Sequence, residues 1–326
     1  MLRTIDDVIR GAHRAAKSAP EHHWVFDHFS PRSHLERAGH QTGYLGETFP
    51  GRFVQGARVA DADWLLAPAF PVIEAEYYQL TDLLEAALDA KGVFTFIEAG
   101  AGYGRWSARA ALAARRIGKA AHVVMIEGDP VHAQWAREMM ALNRVDDFDV
   151  IEAALGAEHG KALFIIDVPE GFFRAEARTS PAEWYGQSLV ASTGFRTSSF
   201  AVQGDDVRYG GQPVHAAGDW HAIEVETVTL AAVLADLGHV DLIDFDVQGA
   251  EGAVIAASLP LLNEKVRRLH IETHSVDIER GLRRLLPDAG WICLRDLPLS
   301  STMQTPFGQI AMAGGGLQSW INPLLY

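Results

Sequence analysis

Apolar positions along the chain fall into blocks whose period switches between helical and extended. Residues 74–90 (EAEYYQLTDLLEAALDA) put Tyr77, Leu80, Leu83, Leu84, Ala87 and Leu88 at helical spacing, and Gly92 ends the segment. VFTFIE (93–98) is a short apolar run rich in β-formers, and ARAALAARRI reads as the helix that follows. AHVVMIE (121–127) is a second strand, 131–143 a helix, and DVIEAAL (149–155) a third strand. Further on, TLAAVLADL (helix), DLIDFDV (241–247, strand), AEGAVIAASL (helix), VRRLHIETH (266–274, strand) and IERGLRRLLPDAG (helix) continue the alternation, with WICLRD and QIAMAG as closing strands. Strands alternating with helices of this length predict an α/β fold. Its central sheet is mostly parallel, with helices on both faces and right-handed crossovers.

Two regions fall outside the alternation. Residues 1–73 are punctuated by Gly and Pro and carry scattered histidines with no metal-ligand spacing, so they read as an N-terminal extension of loops and short helices. The domain proper is 74–326, and within it 160–226 interrupts the pattern after the third strand. A connection this long in a compact domain predicts an inserted lid or substrate-binding segment. Its aromatics, Trp184, Tyr185, Phe195, Phe200, Tyr209 and Trp220, suit packing within the insert better than stacking on a ligand.

The first strand runs into Glu98-Ala99-Gly100-Ala101-Gly102-Tyr103-Gly104, a glycine turn that feeds a helix. Ligands of open α/β sheets bind at the carboxyl ends of the strands, and glycines there let backbone amides approach the ligand. The spacing is G-x-G-x-G rather than the dinucleotide G-x-G-x-x-G, and no G-x-x-x-x-G-K-[ST] phosphate loop exists. A leading carboxylate repels a pyrophosphate but suits a cationic amino group, which favours S-adenosylmethionine over NAD. Glu127, followed by Gly128, ends the second strand and suits two ribose hydroxyls. Glu152 ends the third and suits an adenine amino group, with the amide of Ala153 for a ring nitrogen.

These segments resemble the class I methyltransferases: EAGAGYG, then MIEGD, then IEAALG. VETVTLAAVLADLGHVDLIDFDVQGAEGAVI resembles the hallmark of the FkbM family in particular, with Asp246-Val247-Gln248-Gly249-Ala250-Glu251 at its centre and LHIETH after it. The likeness covers about residues 74–322, and Gln248 stands where many members carry Glu. The resemblance implies a Rossmann-like class I methyltransferase fold and O-methylation of a hydroxyl on a small molecule, sugar or polyketide-like acceptor. Methyl transfer to an alcohol needs orientation and a base. Asp246, Glu272 and His274, at the ends of the fourth and fifth strands, are the candidates, and which of them is the base stays open. Asp246 also suits the cofactor's amino group. Two acids, Asp246 and Glu272, are too few to define a magnesium site.

Charge narrows the partners. Lys and Arg number 28 against 42 Asp and Glu, a formal net charge of −14, which argues against a nucleic-acid or anionic-membrane partner. Cys293 is the single cysteine, so no internal disulfide forms. With no signal-like start and no membrane-length apolar run, the expected location is cytoplasmic. Residues 1–73 offer a surface for a homodimer. An NAD(P)-binding oxidoreductase and a cofactor-binding scaffold without catalysis are the alternatives.

Overall fold

The computed structural model describes residues 4–7, 21–54, 59–167, 187–193, 196–203, 207–312 and 314–326. Seven strands form the central sheet: β1 (Phe94–Ala99), β2 (Ala121–Glu127), β3 (Phe148–Glu152), β4 (Leu242–Phe245), β5 (Arg268–Thr273), β6 (Ile292–Leu297) and β7 (Gly316–Ile321). Their order is β3-β2-β1-β4-β5-β7-β6. β1 to β5 are mutually parallel, and β7 is antiparallel to both its neighbours. Strand order reverses between β1 and β4, so the loops leaving these two strands open a crevice at their carboxyl ends. The α/β class and the mostly parallel sheet expected from the pattern are those observed.

The helices are α1 (Ala75–Asp89), α2 (Arg105–Arg116), α3 (Pro130–Leu142), α4 (Leu230–Ala235), α5 (Glu251–Lys265) and α6 (Val276–Asp288). Their starts follow from local chemistry. Asp129 caps α3 through Val131 N with Pro130 in the first turn, and Thr229 and Ser275 cap α4 and α6. The sheet's two faces bury separate cores. Phe94, Phe96, Val123 and Met125 pack with α1, α2 and α3, whereas Ile97, Val124, Ile243, Phe245 and Ile271 pack with α4, α5 and α6. α1 also buries a polar stripe, Asp82, Glu85 and Asp89, spaced three and four residues apart. Arg268 pairs with Glu85 and Asp89 across this layer, at 2.9 and 2.6 Å.

Three elements differ from the pattern-based expectation. Residues 149–155 are not one strand: β3 ends at Glu152, and Ala154–Gly156 joins a second sheet, where it pairs in parallel with Trp220–Thr229. That second sheet is antiparallel elsewhere, with Gly160–Asp167 and Gln212–Ala217 flanking Trp220–Thr229. The described residues of the insert therefore include a β-layer joined to the core through Ala154–Gly156. Trp220 packs there beside Ile165, Val190 and Phe200; Trp184, Tyr185 and Phe195 lie outside the described residues. QIAMAG does not close the sheet. Gly308–Met312 instead forms a hairpin with Ser301–Thr305. The closing strand is β7, buried at every position although Gln318 and Ser319 are polar. Gln318 donates to Glu279 O and Ser319 Oγ to Asp82, so tertiary partners satisfy side chains that mask the strand in the sequence.

The N-terminal region is no appendage either. Val25, Phe26, Phe29, Leu45, Phe49 and Phe53 share one hydrophobic core with Tyr77, Leu80 and Phe94. Polar contacts bolt it down: Thr48 N donates to Asn143 Oδ1 at 2.8 Å, and Arg109 Nε to Glu47 Oε1 at 2.6 Å. Phe53, fully buried, stacks on Trp135 of α3 with ring centroids 4.7 Å apart. Phe53→Ala is expected to lower stability by about 3–5 kcal/mol. Urea unfolding followed by circular dichroism measures it, and a loss within ~0.5 kcal/mol would mean the extension stands apart from the core.

Candidate active site

The turn after β1 is held against both neighbouring strands. Gly100 N and Ala101 N donate to Ile126 O of β2, and Asp246 N donates to Ala99 O. Gly100 has φ +84°, and a Cβ there would stand 1.8 Å from the carbonyl oxygen of Asp246. Only glycine permits that contact and that dihedral together. Gly104 (φ +77°) packs on Met125, whereas Gly102 (φ +52°) has open space where a side chain would be. Glu98, buried below the turn, accepts from the first amides of α2, Trp106 N at 3.1 Å and Ser107 N at 2.8 Å. It caps the helix from inside, and burial pushes its pKa up to about 8.

Glu127 closes the next side. Its Oε2 accepts from Gly102 N at 2.6 Å and its Oε1 from Asp129 N at 2.7 Å, which ties the glycine turn to the cap of α3. Burial raises its pKa to about 7. Gly128 lies under the Phe164 ring of the second sheet. Glu152 departs from its expected place. On the edge strand it is half exposed and faces Arg137 of α3 at 3.3 Å, away from the cavity. Where an adenine partner was expected, the wall is Ala153, Ala154 and Leu155.

Beyond β4 the chain turns sharply through Gln248 (φ +49°) and Gly249 (φ +103°). Gln248 Nε2 donates to Asp246 Oδ1 at 2.6 Å, and Gly249 N to Glu251 Oε1 at 3.1 Å. His274 is clasped by two acids, its Nδ1 2.7 Å from Glu251 Oε1 and its Nε2 3.4 Å from Asp246 Oδ1. Burial works against its charged form, but the Glu251 hydrogen bond and the Asp246 charge outweigh it and bring the pKa to about 9. With both ring nitrogens engaged by acids that favour its charged form, His274 is a poor candidate for the base. It lies behind the cavity wall, not on it. Asp246 and Glu272 do line the cavity; burial raises both, and the Asp246 charge adds to it at Glu272, whose pKa reaches about 8.

A single cavity of about 310 Å³ joins these parts. It runs from Ala153, Leu155 and Phe164 past Glu127 and the turn residues Glu98 to Tyr103, to Asp246 and Glu272. Gly104 supports the turn from behind and does not touch the cavity. Further polar residues also line it, among them Gln79, Asp244 and His270, with Glu76, Arg105 and His132. Asp244 and His270 sit inside strands that read as apolar, but each stands two residues before a recognised acid. The period of two, D-x-D and H-x-E, was the available signal. Among the described residues no three His, Cys, Asp or Glu side chains are grouped to hold a metal, and no helix is long and apolar enough to cross a membrane.

The sequence model of the FkbM methyltransferase domain matches residues 98–290, from the acid that opens the glycine turn to the end of α6. The chain belongs to this family. A curated relative from Jannaschia sp. (strain CCS1), named "Putative methyltransferase", is 28% identical over 232 residues, 69% of this chain and 72% of that protein. Solved structures with a similar outline include the methyltransferase FkbM from Methylobacillus flagellatus (14% identity; 70% of this chain, 43% of that one; TM-score 0.39). The SAM-dependent methyltransferase from Agrobacterium tumefaciens is another (11% identity; 88% and 71%; TM-score 0.44). In this FkbM-family fold the matched stretch holds the turns after β1 and β4 and the insert, while Gln79 and Leu317 of the cavity wall lie outside it.

The charge arrangement sets the pH response. His274, Glu272 and Glu98 all have folded pKa values above their unfolded ones, near 9, 8 and 8. Each holds its proton more tightly when folded, so stability is highest on the acid side and falls as pH rises through these values. Thermal unfolding scanned from pH 6 to pH 9.5 should show a falling Tm, and His274→Gln should flatten the part of the slope below pH 9. A Tm that rises across this window would contradict the arrangement. Gly100→Ala is expected to cost more than about 2 kcal/mol, because it forces the turn off Asp246, whereas Gly92→Ala, which meets no atom within 4 Å, should change little.

Proposed function

We propose that the chain is an S-adenosylmethionine-dependent O-methyltransferase acting on a hydroxyl of a small-molecule, sugar or polyketide-like acceptor. The observation that carries this reading is the continuity of the cavity from apolar walls, past the glycine turn, to a pair of acids. Its parts fit the cofactor piece by piece. Leu155, Phe164 and Ala153 offer a flat apolar slot for adenine. Each Glu127 oxygen already holds one backbone amide and keeps acceptor capacity for a ribose hydroxyl. Bare Gly102 leaves room for the amino-acid arm, and Asp246 on the cavity wall supplies an acceptor for its ammonium. When bound, the cofactor supplies an electrophilic methyl on a sulfonium leaving group.

The residues contribute orientation and charge. Glu127 and the glycine turn fix the cofactor's position from two sides, which lowers the entropic barrier to an in-line transfer. Glu272, with its pKa near 8, carries a proton at neutral pH and can donate to the acceptor. The net charge of −14 disfavours a nucleic-acid acceptor.

Titration calorimetry with S-adenosylhomocysteine tests the cofactor half. One site per chain is expected. Glu127→Ala should weaken it by roughly 10- to 100-fold, the worth of one or two charge-assisted hydrogen bonds. Gly102→Arg should fill the arm's place and abolish binding. Absence of binding by the unaltered protein would sink the reading. Labelled methyl transfer to a panel of methyl glycosides, catechols and polyketide alcohols tests the acceptor half, and label found only on nitrogen would refute O-methylation.

A further inference from the structure

In the sheet register Asp244 of β4 lies beside His270 of β5. Both line the end of the cavity opposite the apolar slot, together with Gln79 of α1 and Glu272. His270 Nδ1 is 2.7 Å from Asp82 Oδ2 on α1. Asp82 also accepts from Arg295 of β6 and Ser319 of β7. Burial disfavours the Asp82 charge, but Arg295 and His270 outweigh that and hold its pKa well below the usual carboxylate range. A carboxylate brings no proton to the contact, so Nδ1 carries the hydrogen and Nε2 keeps its lone pair. Asp244 supplies an independent sign of a ligand. Its Oδ2 accepts from Gln79 Nε2 at 2.8 Å, while its buried Oδ1 has no partner among the described residues. A buried carboxylate oxygen on a cavity wall calls for a donor, and the described residues offer none.

We propose that this end of the cavity is the acceptor subsite, with His270 as the general base, Asp82 as its positioning residue and Asp244 as the acceptor for a second hydroxyl of the incoming molecule. The assignment rests on the methyltransferase reading above. The acceptor oxygen forms its bond to the methyl carbon as the C–S bond breaks, the electron pair staying on sulfur, and the O–H proton passes to His270 Nε2. The imidazolium so formed stands between Asp82 and Asp244 and returns its proton to water when product leaves. His274 is poorly placed to serve, since Glu251 and Asp246 engage both its ring nitrogens. Asp82 comes from α1, Asp244 and Asp246 from β4, Glu272 from the base's own strand, and Arg295 from β6 behind Asp82.

Carbethoxylation by diethyl pyrocarbonate, read by peptide mass mapping, reports a basic and reachable imidazole nitrogen without need of an acceptor. With the S-adenosylhomocysteine-bound protein at pH 7, His270 is expected to react, and half-exposed His239 serves as the internal standard. Asp82→Asn should slow labelling of His270 by about tenfold, since the neutral amide no longer fixes the proton on Nδ1, and leave His239 unchanged. His270 left unlabelled while His239 reacts, or labelled equally in Asp82→Asn, overturns the dyad. His270→Asn keeps a donor for Asp82 but no base. With an acceptor from the panel it should lower kcat by roughly 10²- to 10⁴-fold and leave S-adenosylhomocysteine affinity within about twofold. An unchanged kcat refutes the base. Loss of S-adenosylhomocysteine binding by the unaltered protein is a different failure, that of the function itself.

Discussion

The crevice depends on one backbone contact, Gly100 against the carbonyl of Asp246. It brings the turn after β1 and the turn after β4 together where strand order reverses. From it follow the hydrogen bond of Asp246 N to Ala99 O and the position of Gly102 over Glu127. No side chain larger than hydrogen fits between the two turns, so the geometry is imposed by sterics before any ligand contributes.

Around that contact the protein concentrates buried acids. Glu98, Glu127, Asp244, Asp246 and Glu272 all have raised pKa values, chiefly because burial strips water from the charged form. Such a cluster is unfavourable in isolation, and backbone amides, Gln79, Gln248 and His274 offset it in part. The balance makes the crevice receptive to a cationic ligand. Away from the crevice the same layer is fully paired: Asp82 with Arg295, and Glu85 and Asp89 with Arg268. Truncating one partner there would strand a buried charge, whereas changes on the cavity wall alter binding first.

The N-terminal region and the insert play different parts. The former completes the core over α1 to α3, through Phe53 on Trp135 and Asn143 on Thr48. The latter brings Phe164 over the slot beside Gly128, opposite Leu155, and it fastens to Asp129, which accepts from Gln187 Nε2 and Tyr209 OH. The cap of α3 therefore couples the second sheet to the Glu127 side of the crevice.

Five of the seven central strands, the six helices and the glycine turn were legible in the sequence, because each rests on local periodicity or on a backbone demand that glycine alone meets. So were Glu127, Asp246 and Glu272, which stand at strand ends by chain position. The tertiary structure decided the rest. β7 was hidden because its polar side chains are satisfied by distant residues, and residues 149–155 divide between two sheets. Glu152 faces solvent on an edge strand, while His274 is engaged by Glu251, 23 residues away. The pairing of His270 with Asp82 spans 188 residues. Sequence spacing reports which residues share a face of one element. It does not report how deeply that face will be buried or which distant charges it will meet, and burial first, charges second, shift the acids of the crevice.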